Sequence, residues 1–321
     1  LSESTPSNPE TSVIIPCFNG ERFVAEAIES ALAQARGPVE VVVVDDGSSD
    51  GSVGIVERYA DGDRVRLIRH GTNRGIAAAR NTGVRAARGR YIGFLDQDDL
   101  WLENKTARQV PAFERDTNGE VGVVFSAIEL RRMDAEGRIQ RSAPPPAGIE
   151  RFGPDELLSR MFLSDFVPTV STLIRRVCFD DVGYLDESIR GGSDDFDLLV
   201  RVATRYRFVY LDEVLAVRRL HEANYTDAEK MTPDALAILD RTVAERPALQ
   251  AVAPRARSRY LYGLARELHA KKQYTRARRA YLDSLEARST NWKSVAGLIL
   301  CSSGKLGDAL LATLRPRHDR S

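Results

Sequence analysis

The run Val39-Glu-Val-Val-Val-Val44 leaves this chain few options. A near-continuous apolar strand belongs in a sheet covered on both faces, with helices packed over each side. The neighbouring segments supply those helices. Ser12–Pro16 reads as a second buried strand, and between the two, residues 22–35 carry Phe23, Ala27, Ile28, Ala31 and Leu32 at helical spacing. A helix over Ser52–Tyr59, a strand over Val65–Arg69, a helix over Ile76–Ala87 and a strand over Tyr91–Leu95 continue the alternation. This order predicts an α/β fold with a mostly parallel, doubly wound, Rossmann-like sheet. Ligands of such sheets bind beyond the carboxyl ends of the strands. Three polar or acidic loops fall there: Pro16-Cys-Phe-Asn-Gly20, Asp45-Asp-Gly-Ser-Ser-Asp50 and Asp96-Gln-Asp-Asp99.

Further strands are expected at Val121–Ile128, Val170–Ile174, Phe208–Leu211 and Val214–Arg218, with a long loop over Arg131–Pro154 and a helix at Leu198–Ala203. Past Ala228 the chain turns helical. Ala256–Ala270 and Tyr274–Arg288 form an expected antiparallel pair, Leu261, Leu264, Ala265 and Leu268 facing Ala277, Ala280, Tyr281 and Leu285. A last helix is expected from Trp292 to about Leu314, broken near Ser302–Gly304. The expected organisation is a disordered arm over 1–10, an α/β domain over 11–226 and a helical C-terminal region over 227–321. The polar start is expected to be a frayed arm or cloning remnant rather than a signal peptide.

Composition excludes several classes. At 43% hydrophobic residues the chain is too apolar to stay a solvated coil, and no window approaches about 18 uninterrupted apolar residues, as a membrane span needs. Three widely spaced cysteines (Cys17, Cys178, Cys301) argue for a reducing, cytoplasmic setting and against a disulfide framework. The net charge of zero conceals an asymmetry: residues 241–321 hold 17 Lys and Arg against 6 Asp and Glu, or +11, leaving −11 on residues 1–240. The basic end suits an anionic membrane or a lipid-diphosphate acceptor, a homodimer contact, or docking on the chain's own acidic body. Nucleic acid is not among the expected partners.

The acidic motifs carry the chemistry. Carboxylates crowded as in Asp96-Gln97-Asp98-Asp99 repel unless a cation joins them or some are protonated, and oxygen ligands of this kind suit Mg²⁺ or Mn²⁺. Capping of a helix beginning at Leu100 is the plain structural alternative. Asp45 stands at a strand end where it could accept from a base or sugar, although turn formation explains it as well. Asn73-Arg-Gly75 followed by Ala77-Ala-Ala-Arg80 opens a helix whose free N–H groups, with Arg80, would suit phosphate; tight helix–sheet packing explains the small residues equally. Asp194-Asp195-Phe-Asp197 starts a helix, where the dipole favours ionised carboxylates, one of which could act as a general base. His221 stands in Arg218-Arg-Leu-His.

Together these stretches resemble the family 2 glycosyltransferases of the GT-A fold. The resemblance rests on Ser12-Val-Ile-Ile-Pro-Cys-Phe-Asn19, Val43-Val-Asp-Asp-Gly-Ser-Ser-Asp50, Asn73-Arg-Gly75 with Ala79-Arg-Asn-Thr-Gly83, Gly89-Arg-Tyr-Ile-Gly-Phe-Leu-Asp-Gln-Asp-Asp99, and Val182-Gly-Tyr-Leu-Asp-Glu187 with Asp194-Asp-Phe-Asp-Leu198. It implies an inverting transfer of sugar from a nucleotide-diphosphate donor to a hydroxyl acceptor in glycan or glycoconjugate synthesis. By that resemblance Pro16, Asp45 and Arg80 would line the nucleotide pocket with Phe18 and Glu21 beside it, Asp96 would lie near the ribose, and Gln97 would join in binding the nucleotide-sugar. Asp98 and His221 would hold Mn²⁺ or Mg²⁺, with Asp194 at the donor and Asp195 at the catalytic-base position. The family's usual Glu-Asp pair stands here as Asp194-Asp195. The Gln-x-x-Arg-Trp motif of processive synthases is absent, so a non-processive enzyme is expected. A nucleotidyltransferase would want a basic Gly-rich loop after the first strand, and a dehydrogenase G-x-G-x-x-G; the chain has neither. A degenerate transferase domain serving as a carbohydrate- or partner-binding module is the rival from another class.

Overall fold

The structure, a computed structural model, describes residues 9–133, 139–164, 166–221 and 227–302. The chain divides into two compact units, one formed by residues 1–157, 165–188 and 194–224, the other by 158–164, 189–193 and 225–321.

The first unit is built on β1 (Thr11–Cys17), α1 (Val24–Leu32), β2 (Val39–Asp45), α2 (Ser52–Glu57), β3 (Val65–Arg69), α3 (Ile76–Ala86) and β4 (Tyr91–Phe94). These four strands lie in the order β3-β2-β1-β4, all parallel. Every residue of β1 and β2 is buried, as the valine run requires. Glu10, expected in a disordered arm, already accepts from the backbone of Arg90 and Tyr91 where β1 and β4 begin.

The unit continues with β5 (Leu100–Trp101), α4 (Lys105–Glu114), β6 (Val121–Arg132), β7 (Ile139–Arg141), β8 (Leu173–Arg175), α6 (Val177–Val182), α7 (Asp194–Ala203) and β9 (Arg207–Leu220); α5 (Pro154–Leu163) precedes β8. Here the expected, mostly parallel sheet gives way to a mixed one. β8 runs antiparallel to both β4 and β6, β9 is parallel to β6, and β5 and β7 pair antiparallel with β9 and β6. The reversal has a local cause: β8 leaves a 3₁₀ turn, Thr169–Ser171, on the rim where β4 ends, and so must run back down the sheet. The strand expected from Val170 is that turn for its first part, because the Ser171 and Thr172 hydroxyls donate to the Pro168 and Thr169 carbonyls. The two strands expected at 208–218 are one. Ser126 faces Leu211 and Ala127 faces Val214, so Asp212 and Glu213 form an irregularity inside β9. Part of the expected 131–154 loop is the β6–β7 pairing.

Glu40 interrupts the valine run yet is 1% exposed. Its carboxylate accepts from Ser12 Oγ at 2.5 Å, Arg88 N at 2.6 Å, Arg66 Nη2 at 2.8 Å and Arg88 Nε at 2.9 Å. Burial raises its pKa, but these donors outweigh burial and hold it below the ordinary value. Because the folded value is depressed, the stabilisation is present above the unfolded carboxylate range and is lost as pH falls through the folded value. Glu40→Gln is expected to cost about 3–5 kcal/mol at neutral pH, as breaking a buried pair does. The gap to the parent should narrow in acid, which urea melts at pH 7 and pH 4 will read.

The helical unit holds α8 (Ala228–Glu245), α9 (Ala253–Ala270), α10 (Tyr274–Ala287) and α11 (Trp292–Ser302). Asp227 caps α8 through the Glu229 N–H. Ala265 and Leu268 meet Ala277, Ala280 and Tyr281 as expected, joined by Cys301 of α11, whereas Leu261 and Leu285 are only partly buried. The expected continuation of the last helix to Leu314 lies outside the described residues. No helix among the described residues is long and apolar enough to cross a membrane.

Candidate active site

The three loops expected on one rim are stitched together there. Phe18 N donates to Gln97 Oε1 at 2.9 Å and Gln97 Nε2 donates to Phe18 O at 3.1 Å, so Gln97 pairs with the β1 loop as an extra strand residue would. Gly20 makes this possible: a Cβ there would stand 2.2 Å from the Gln97 oxygen. Asn19 N donates to Ser48 Oγ, and Ser49 N to Asn19 Oδ1, both at 2.9 Å.

Arg80, projecting from α3, lies at the centre and is 3% exposed. Its Nη2 donates to Asp96 Oδ1 at 2.8 Å, its Nη1 to Asp194 Oδ2 at 2.9 Å, and its guanidinium lies 5.5 Å from the centre of the Phe94 ring. Burial opposes the charge, but Asp96, Asp194 and Asp195 outweigh it and hold Arg80 firmly protonated. Burial acts the other way on Asp194, whose carboxyl is pushed up to about 6 despite the Arg80 cation, with Asp195 adding to the rise. The helix-terminus argument therefore fails for Asp194, because lost hydration outweighs the dipole of α7. Asp195 is half-buried; Oδ2 accepts from Thr169 Oγ1 and Oδ1 from Phe196 N, both at 2.7 Å.

On the other side of the Asp96–Asp99 loop, Asp98 Oδ2 lies 2.9 Å from His221 Nε2, at the end of β9. The imidazole stacks on Phe23 with ring centres 4.9 Å apart. Asp99 caps no helix, since Leu100 and Trp101 form β5; it is buried and accepts from Arg219 N at 3.0 Å. Burial, then Asp96 and Asp98, push its carboxyl well above the ordinary range. Burial and the neighbouring carboxylates thus both favour the neutral form of Asp99.

Of the expected residues, Arg80, Asp96, Asp194 and Asp195 come together, Asp98 meets His221, and Gln97 meets Phe18. Pro16 is buried within β1, and Phe18 is exposed. Asp45 is buried at the end of β2, with Ser48 N 3.4 Å from its oxygens. Glu21 accepts from Gly51 N at 2.8 Å and so braces the β2 loop. Just before α3, the N–H groups of Arg74 and Gly75 donate to Asp46 at 2.9 and 2.8 Å. Ala77, Ala78 and Ala79 are buried against the sheet, the packing alternative. Asp46 was not foreseen in that role, nor was Arg219, which bonds the Asp98 carbonyl and Glu26 and covers Phe23. The Arg-Arg-x-His spacing placed Arg219 two residues from His221 on one strand face, the signal that could have found it. Thr169 carried no sequence signal.

A mixed sheet with acidic loops converging on the rim of its parallel half defines a GT-A glycosyltransferase architecture. The glycosyl transferase family 2 model matches residues 12–182, and the chain belongs to that family. It is 32% identical over 223 residues to an uncharacterized glycosyltransferase of Rickettsia typhi, covering 68% of this chain and 67% of that protein. It is 49% identical over 226 residues to the uncharacterized glycosyltransferase EpsJ of Bacillus subtilis, covering 68% of this chain and 63% of EpsJ. Among solved structures, S. aureus TarS 1-349 in complex with UDP-GlcNAc superposes with a TM-score of 0.61 at 18% identity, over 92% of this chain and 90% of that one. The mannosyltransferase PcManGT from Pyrobaculum calidifontis, in complex with GDP-Man and Mn²⁺, gives 0.60 at 20% identity, over 96% and 80%. At these identities the superpositions speak for the fold.

Proposed function

We propose that this glycosyltransferase moves one sugar per encounter from a nucleotide-diphosphate donor to a hydroxyl of a glycan or lipid-linked acceptor, with inversion, in glycan or glycoconjugate synthesis. The observation that carries the reading is Arg80, a buried cation gripped between Asp96 and Asp194 with Asp195 adjacent. A protein buries such a cluster at a cost in hydration, and binding or catalysis at the ligand rim is the use that compensates it.

In this reading Asp45 and Asp96 accept from the nucleoside, with Pro16, Phe18, Glu21 and Gln97 shaping the loop around it. Arg80 faces the diphosphate, and Asp194 fixes the guanidinium. Asp195 takes the acceptor proton: the acceptor O–H bond breaks, its oxygen forms the new bond to the anomeric carbon, and the old bond leaves its electron pair on the diphosphate. Attack from the face opposite the leaving group inverts the configuration. Such a base contributes about 10²–10⁴-fold.

The residues fit a divalent cation. Asp98 and His221 present an oxygen and a nitrogen 2.9 Å apart in the acidic Asp96–Asp99 loop. Among the described residues no group of three or more His, Cys, Asp or Glu is placed to hold an ion; in this reading the donor and water would complete its shell. Mn²⁺ or Mg²⁺ there would supply positive charge to the departing diphosphate.

The test is nucleotide release from a panel that includes UDP-GlcNAc and GDP-mannose, with Mn²⁺, Mg²⁺ or EDTA. One donor should release nucleoside diphosphate with metal only, and Asp98→Ala should lower release by about 10-fold or more. Activity in EDTA equal to that in Mn²⁺ would reject the metal role. No release from any donor, with sugars still bound, would favour the binding-module rival.

A further inference from the structure

The turn Thr169–Ser171 is held more tightly than a connection between α5 and β8 needs. Trp101 Nε1 donates to the Val170 carbonyl at 3.0 Å. Lys105 Nζ donates to Ser171 O at 2.8 Å and Thr172 O at 3.3 Å, and also bonds Gln109 Oε1. Gln109 Nε2 donates to the same Ser171 oxygen at 2.7 Å and to Val124 O at 3.1 Å. Three consecutive carbonyls are thus gripped by side chains from β5 and α4. Lys105 is wholly buried, its ammonium 4.5 Å from the Trp101 ring centre, with burial pushing its pKa well down. Among the described residues no carboxylate bonds it. Burying an ammonium among carbonyls is costly, and here its hydrogen bonds go to the turn.

Thr169 carries the turn to Asp195. The Thr169 hydroxyl, half-buried, donates to Asp195 Oδ2 at 2.7 Å, while Phe196 N occupies Oδ1. Two donors on different oxygens fix both the position and the plane of the carboxylate; the Phe196 N–H alone would leave it free to tilt. We propose that Thr169 is a positioning residue for the base, aimed by the Trp101–Lys105–Gln109 cradle; this rests on the reading of Asp195 given above. Each oxygen keeps a lone pair for the acceptor proton, so the hydroxyl orients the base without blocking it. Its effect falls on turnover, because a tilted carboxylate misaligns proton transfer while Arg80 still meets the donor.

The experiment uses the full chain and the panel donor that releases most nucleotide. Thr169→Val, nearly isosteric, is expected to lower kcat by about 10- to 100-fold, as loss of an outer-shell orienting group does. The donor KM and the calorimetric Kd for the matching nucleoside diphosphate should stay within about twofold. Thr169→Ser should restore kcat to within about threefold, since the hydroxyl alone is at stake. Thr169→Ala, which cannot overpack the site, serves as a second variant and should match Thr169→Val. Parent-like kcat in both variants would overturn the proposal, as would an equal fall of kcat in Thr169→Ser. Asp195→Asn separates the two readings. If it is inactive while Thr169→Val is normal, only the positioning role fails; if it is fully active, the base assignment fails with it.

Discussion

Asp195→Asn is expected to lower kcat for sugar transfer by about 10²–10⁴-fold while leaving the fold and the affinity for nucleoside diphosphate near those of the parent. The carboxamide has the shape of the carboxylate and can still accept from Phe196 N, and the Thr169 hydroxyl can rotate to accept from the new NH₂ group. What it lacks is affinity for a proton. The loss corresponds to about 3–5 kcal/mol of barrier and should fall on kcat. Single-turnover nucleotide release with saturating donor, beside a thermal melt of both proteins, reads the two halves of the expectation. Parent-like turnover in a folded variant would remove Asp195 from the chemistry.

Arg80→Met should damage stability and donor binding together. Asp194 has 1% of its side chain exposed and would be left buried without its cation, a loss of about 3–5 kcal/mol. The sign with pH follows from the direction of the shift. The Asp194 carboxyl is already raised to about 6 by burial, and removing Arg80 raises it further. A group raised in the folded state contributes stability below its unfolded value and loses it as pH rises through the folded one. The variant should therefore lose least near pH 4–5 and most above pH 7. Asp194→Asn placed in the Arg80→Met background should recover stability at pH 8 but not affinity for the nucleoside diphosphate. Urea melts and calorimetric titration at two pH values will check this. Recovery of both would make Arg80 a structural cation only.

Both predictions concern side chains that the sequence flagged, and four of that set, Arg80, Asp96, Asp194 and Asp195, lie together. The order of short β-branched runs and helical stretches up to Leu95, with carboxylates closing the strands, was legible because period and strand-end position are local properties. The same locality made α9 and α10 readable. Asp46 and Glu21 show where this stops. Asp45 and Asp46 are adjacent in sequence, yet Asp46 turns to His70, Arg74 N and Gly75 N and secures the entry to α3. Glu21, expected at the nucleotide, braces Gly51. Nothing in a run of like residues says which carboxylate faces ligand and which faces backbone.

The amino-acid sequence by itself determined that this chain winds a sheet with covered faces and ends its strands in acid on one rim. It also determined which family's pattern those ends follow. Only the tertiary structure decided that β8 returns antiparallel between β4 and β6, that Asp99 and Asp194 are pushed toward their protonated forms, and that a threonine from a pinned turn grips Asp195. The division is physical. Hydrophobic period acts between neighbours along the chain, whereas hydration lost on burial and hydrogen bonds between residues tens of positions apart exist only once the chain has closed on itself.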